Sequence, residues 1–158
     1  MTVTEAPAEK VEEQSAPRSD VLVRVAGVLV SVVATLVITL IELELSVLRV
    51  GGVTGLFHGD FAAWQGTGEL IGLAIPVTVA ANLALAWFAT TTIARGWAIG
   101  VPWALWTLLI LGAAGTRTTE GDYLLGADNW VALVMILAGS LAFAVYAYKM
   151  IMKPLKKT

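Results

Sequence analysis

Few residues in this chain have the chemistry to act as a site, and their types exclude more than they offer. There is one histidine, His58, and no cysteine. A haem held by two histidines is therefore impossible within one chain, thiolate metal sites and redox thiol pairs are closed, and a zinc site would have to be built largely from carboxylates. No nucleophile with an adjacent base is legible, so neither an enzyme nor a cofactor is expected. Three polar groups remain: Glu42, Glu44 and Arg49; a lone amide, Asn82; and a string holding Arg117, Glu120, Gly121, Asp122 and Tyr123. In that string Gly121 permits a tight turn, and Arg117 can pair with Glu120 or Asp122 at a low-dielectric boundary. A structural clasp is the default reading, and binding of an ion or polar ligand is the sharper alternative.

The elements that must position these residues are four apolar runs, at about 21–41, 69–92, 97–115 and 129–151. At 1.5 Å per helical residue, roughly 20 apolar residues cross a hydrocarbon core about 30 Å thick. Composition agrees, with 58% hydrophobic and 14% charged residues and a mean hydropathy of +0.80. A water-soluble domain so made would lack the polar surface to cover itself. The expected fold is all-α, a four-helix transmembrane bundle over 21–152 with a disordered N-terminal tail over 1–20 and a short basic tail over 153–158. The N-terminal tail holds too few large apolar side chains to offset the entropy of ordering. The first apolar run is too long for a cleaved signal peptide and is expected to be retained.

Basic residues orient the spans. Lys10, Arg18, Arg24, Arg95, Lys149, Lys153, Lys156 and Lys157 fall on one side, and only Arg49 and Arg117 on the other. By the positive-inside rule both termini are cytoplasmic, which places the chain in the cell membrane as a multi-pass protein. The net charge of −2 carries no nucleic-acid signal.

The spans differ in ways that bear on packing. In the first, Gly27, Ser31, Thr35 and Thr39 recur at spacing four, a ridge of small and hydroxyl side chains suited to close helix approach. The competing reading is that these hydroxyls merely bond back to the preceding turn. In the second span Pro76 is expected to bend the helix, and Asn82 to face the bundle and form an interhelical hydrogen bond. Trp103 and Trp106 share a face of the third span. Trp97, Trp130, Tyr123, Tyr146 and Tyr148 read as interfacial anchors. Ala138, Gly139, Ser140, Ala142 and Ala144 give the fourth a small-residue surface.

Depth decides the meaning of Glu42 and Glu44. A helix starting near Val21 reaches Leu40 or Ile41 after about 20 residues, which puts both carboxylates at the interface. If the helix continues, Glu42 and Arg49 share a face about 10 Å apart, too far for a direct bond. Small multidrug exporters also have four helices and a carboxylate in the first, but theirs must lie at mid-membrane, and none is expected there in this chain. Beyond the first span a glycine-rich stretch leads to Asp60, a plausible N-cap for a short surface helix carrying Phe61 and Trp64.

The Arg-x-x-Glu-Gly-Asp-aromatic loop of Arg117, Glu120, Gly121, Asp122 and Tyr123, with four spans and a third span containing proline and tryptophan, resembles a family of small actinobacterial integral membrane proteins of unassigned function. The resemblance covers about residues 20–150 and implies no activity. Two classes of function follow. The favoured one is a non-enzymatic structural or accessory component that docks to itself or to a partner complex in the lipid bilayer. The other is a small oligomeric transporter or channel. A polar path inside the bundle favours transport, and a closed, apolar interior favours the accessory role.

Overall fold

The computed structural model describes residues 16–59, 68–116 and 129–152. The readings made for the tail over 1–15, for Asp60, Phe61 and Trp64, and for the basic tail over 153–158 lie outside these residues. Within them the chain forms α1 (Ala16–Ser46), a short α2 (Val50–Phe57), α3 (Ala74–Ile93), a 3-10 turn (Gly96–Ile99) running into α4 (Gly100–Gly115), and α5 (Trp130–Met152). Four stretches have the length and apolarity to cross a bilayer: Val21–Ser46, Ala74–Ile93, Gly96–Gly115 and Trp130–Met152. The protein is an all-α, multi-pass membrane protein.

Two elements differ from the sequence reading. Helix α1 begins at Ala16, inside the stretch assigned to the tail, with Pro17 in its first turn, where a missing N–H costs nothing. It also runs past Ile41 to Ser46, so Glu42 and Glu44 belong to the helix rather than to its boundary. Helix α3 starts only at Ala74, which leaves Pro76 in the first turn, and the helix continues unbroken to Ile93. At that position the proline removes no hydrogen bond from the helix, because first-turn N–H groups have no intrahelical acceptor to lose.

The glycine-rich stretch after α1 is helical. Leu48 and Val50 are tied to the segment before α3 by backbone bonds: Val50 N–H donates to Glu69 O at 3.1 Å and Ile71 N–H to Leu48 O at 2.9 Å. Arg49 and Leu70 form an isolated antiparallel bridge there, and the Arg49 guanidinium donates to Gly68 O at 2.8 Å. Arg49 is thus spent on closing the connection, and it does not share a helical face with Glu42. At the opposite end of the bundle Ala94 takes a left-handed conformation, φ 53°, which closes α3 and turns the chain toward α4.

Helix α3 is the central element, packed along α1 on one side and α5 on the other, while α1 also packs on α4. One face of α3, made of Ala74, Thr78, Asn82, Leu85, Ala86, Ala89 and Ile93, is buried. The spacing of three and four is the helical period of a single contact stripe. The apolar core gathers Trp106, Ile110, Val131, Met135 and Phe143. Trp106 and Phe143 meet as a tilted pair, ring centroids 6.1 Å apart. A smaller cluster of Ala89, Ile93 and Ala98, with Val28 against it, fills the other end.

Candidate functional site

The buried face of α1 is polar. Ser31, Thr35, Thr39, Glu42 and Ser46 are all fully or almost fully shielded, and Thr78 and Asn82 of α3 are buried with them. Gly27 begins the same face, and a Cβ built on it would lie 2.7 Å from Thr92 Cγ2, so α1 and α3 approach closely there. The small ridge expected of the first span does face a partner helix. Thr35 and Thr39 also bond back, their hydroxyls donating to Ser31 O and Thr35 O at 2.7 Å each. Both readings of the ridge therefore hold for these two residues, since a back-bonded threonine still presents a small, buried surface.

Glu42 corrects the sequence reading most. Its relative exposure is 0%. It lies one turn, about 6 Å, before the end of α1, and it faces the bundle rather than the boundary. Trp106 Nε1 on α4 donates to Glu42 Oε2 at 2.7 Å. The Thr78 hydroxyl on α3 is close enough to act on the same carboxyl, yet no hydrogen bond of good geometry reaches its oxygen. Glu42 Oε1 has no partner among the described residues. Three helices thus enclose one carboxyl group and satisfy only one of its oxygens.

The placement of Trp106 depends on Gly139. A Cβ at position 139 would come 2.5 Å from Trp106 Cζ2 and 2.8 Å from Thr78 Cγ2. Only a glycine on α5 leaves room for the indole to lie across the bundle and reach Glu42. Of the small residues in the last span, Gly139 and Ala142 are buried, whereas Ser140 and Ala144 face outward. The two tryptophans of the third span separate: Trp106 is 1% exposed and Trp103 49%.

Asn82 lies within the bundle, one turn further along α3 than Thr78. Asn82 is fully buried, but neither its Oδ1 nor its Nδ2 has a hydrogen-bond partner among the described residues, and the same is true of Ser31 Oγ. A buried amide with both ends open is costly, by roughly 1–3 kcal/mol per unsatisfied group. Such groups in a membrane interior ordinarily mark a place where something polar is accommodated.

Above the carboxyl, Asn129 links α5 to α1. Its Oδ1 accepts the Ala132 N–H at 3.0 Å, an N-cap, and its Nδ2 donates to Ser46 O at 3.1 Å. Near the other end of the bundle, the Thr90 and Tyr146 hydroxyls share a hydrogen bond at 3.0 Å. Trp97, Trp130 and Tyr148 are exposed at the helix ends. Tyr146 is held inside by its bond to Thr90.

The other sequence-derived candidates are Arg117, Glu120, Gly121, Asp122 and Tyr123, and all five lie outside the described residues. Among the described residues no group of three or more His, Asp or Glu side chains is placed to hold a metal. Glu42 was missed as an interior residue, although its signal was legible. Positions 27, 31, 35, 39, 42 and 46 continue one helical face, and extending the ridge by a turn would have found it. The pairing with Trp106 had no comparable signal. The chain matches no family model, and neither a curated protein nor a solved structure matches it.

Proposed function

We propose that this protein is a small membrane transporter in which Glu42 is the group that exchanges protons as cargo moves. The carrying observation is a fully enclosed carboxyl, open at Oε1 and set in a buried seam of hydroxyl and amide groups running from Ser31 to Ser46. Ionisable side chains inside a span are expensive, and those retained there commonly serve proton relays or ion pathways. Small multidrug exporters also carry a carboxyl in the first of four helices, but theirs lies at mid-membrane, whereas Glu42 lies one turn from the end of α1. Four helices leave little room for an enclosed pathway, so the working unit in this reading is an oligomer.

A membrane-permeant carbodiimide tests the proposal, since it forms a stable adduct with a protonated carboxyl in an apolar setting. Mass spectrometry should find the adduct on Glu42 and not on the surface-facing Glu44. In proteoliposomes carrying an internal pH dye, a panel of small cationic solutes should drive proton movement in wild type but not in Glu42→Gln. A Glu42 that never labels, or proton movement unchanged by the substitution, would remove Glu42 from the mechanism.

The accessory role is the second reading. It draws on an apolar groove of about 500 Å³ along the outer face of α1, lined by residues such as Leu29, Val33 and Val37, where another membrane helix would fit. Its test is a stoichiometric partner recovered in mild detergent. Membership in the actinobacterial family belongs with these proposals, as does a plasma-membrane location with both termini inside. If that orientation holds, a reporter fused after Ala94 should report the inside and one fused after Gly126 the outside.

A further inference from the structure

We propose that the groove between the start of the first span and the α3–α4 turn binds the headgroup of an anionic phospholipid. The groove has a volume of about 290 Å³ and is lined by Arg24, Val25 and Val28 from α1, Ile93 from the end of α3, and Arg95 and Trp97 from the turn. Two arginines from different elements therefore border one concavity whose lining is almost wholly apolar. Neither arginine has a hydrogen bond or ion pair among the described side chains, so their donors are available to an anionic oxygen. Arg95 follows the left-handed Ala94 and is itself extended, φ −135° and ψ 137°. That backbone step carries Arg95 off the end of α3. Trp97 is 60% exposed beside it, where an indole meets the headgroup region of a bilayer.

The chemistry selects a lipid phosphate. Guanidinium pairs with phosphate oxygens through parallel N–H donors, and basic pockets between membrane helices hold anionic headgroups in this way. Val25, Val28 and Ile93 lie where the first methylenes of an acyl chain would pass. The competing explanation is that Arg24 and Arg95 are only charges that orient the spans. That role needs no shared groove, no saturation and no preference for one headgroup.

Native mass spectrometry of the full chain in mild detergent distinguishes these readings. Wild-type protein is titrated with phosphatidylglycerol and with phosphatidylcholine of matched acyl chains. The expected result is one phosphatidylglycerol per chain at saturation, with about tenfold preference over phosphatidylcholine. That preference should be lost in the R24Q/R95Q double variant and retained in K149Q, which removes an exposed charge from the same end of the bundle. Absence of saturation or preference in the wild type overturns the proposal, and this arm stands even if the double variant fails to fold. Equal loss in K149Q overturns it in favour of diffuse charge. Displacement of the lipid by an equal concentration of inorganic phosphate overturns it in favour of a small-anion site.

Discussion

Trp106 and Glu42, 64 residues apart in the chain, are joined by an indole N–H to carboxyl hydrogen bond of 2.7 Å that spans α4 and α1 inside the bundle. Trp106→Phe should therefore separate the bond from the packing. It keeps an aromatic ring against Phe143 but leaves Glu42 Oε2 open. We expect a loss of about 1–3 kcal/mol in a denaturant series in detergent. Glu42→Gln retains an acceptor for the indole and should cost less than Trp106→Phe. The reverse order would mean that the carboxyl, rather than the bond, stabilises the fold.

Gly139→Ala should be among the most damaging single-methyl additions in the protein. Its Cβ would fall 2.5 Å from the Trp106 ring, and the ring cannot withdraw without giving up Glu42. Overpacking of this kind costs about 1–3 kcal/mol. Gly112→Ala, also in a spanning helix but with nothing within 4 Å of the added Cβ, should be neutral or stabilising by up to about 1 kcal/mol. Melting temperatures of the two variants in the same detergent check the contrast, and equal shifts would argue against close packing at Gly139.

For Asn82 the polar atoms have no hydrogen-bond partner among the described residues, and a substitution separates two readings. An amide in an interhelical bond would make its removal destabilising. An amide buried with both polar atoms unpartnered should be replaceable by an apolar residue at no cost or with a gain, because an unsatisfied group contributes only its desolvation penalty. Asn82→Val should hold or raise thermal stability in detergent while impairing transport if the polar seam serves it. A fall of more than about 1 kcal/mol would instead show that Asn82 is paired in the folded protein.

Asn129 performs two tasks that a pair of substitutions can divide. Asn129→Ala loses the cap on α5 and the tie to Ser46, with an expected cost of about 1–2 kcal/mol. Asn129→Asp keeps an acceptor for the Ala132 N–H but sets an oxygen against Ser46 O, where the amide nitrogen now donates at 3.1 Å. We expect the aspartate to be at least as destabilising as the alanine. If it proves milder in an unfolding series, the cap dominates and the tie between α5 and α1 is idle.

The number of spans, their approximate limits and the small-residue face of α1 are readable from the sequence by itself. Each is a local or periodic property: about 20 apolar residues cross a bilayer whatever their neighbours do, and a repeat of four marks one side of a helix before any partner is known. Where α1 ends is not local in this sense. Counting from Val21 puts Glu42 at the interface, but the helix runs on to Ser46 because its last turns have a bundle to lean on, with Trp106 offering a donor and Asn129 a tie. Pro76 is another case, harmless once α3 begins at Ala74. The meeting of Glu42, Thr78, Trp106 and Gly139 was decided only by tertiary structure. It depends on the rotation and height of four helices relative to one another, and these are set by how side chains interlock across the bundle, information that no single span contains.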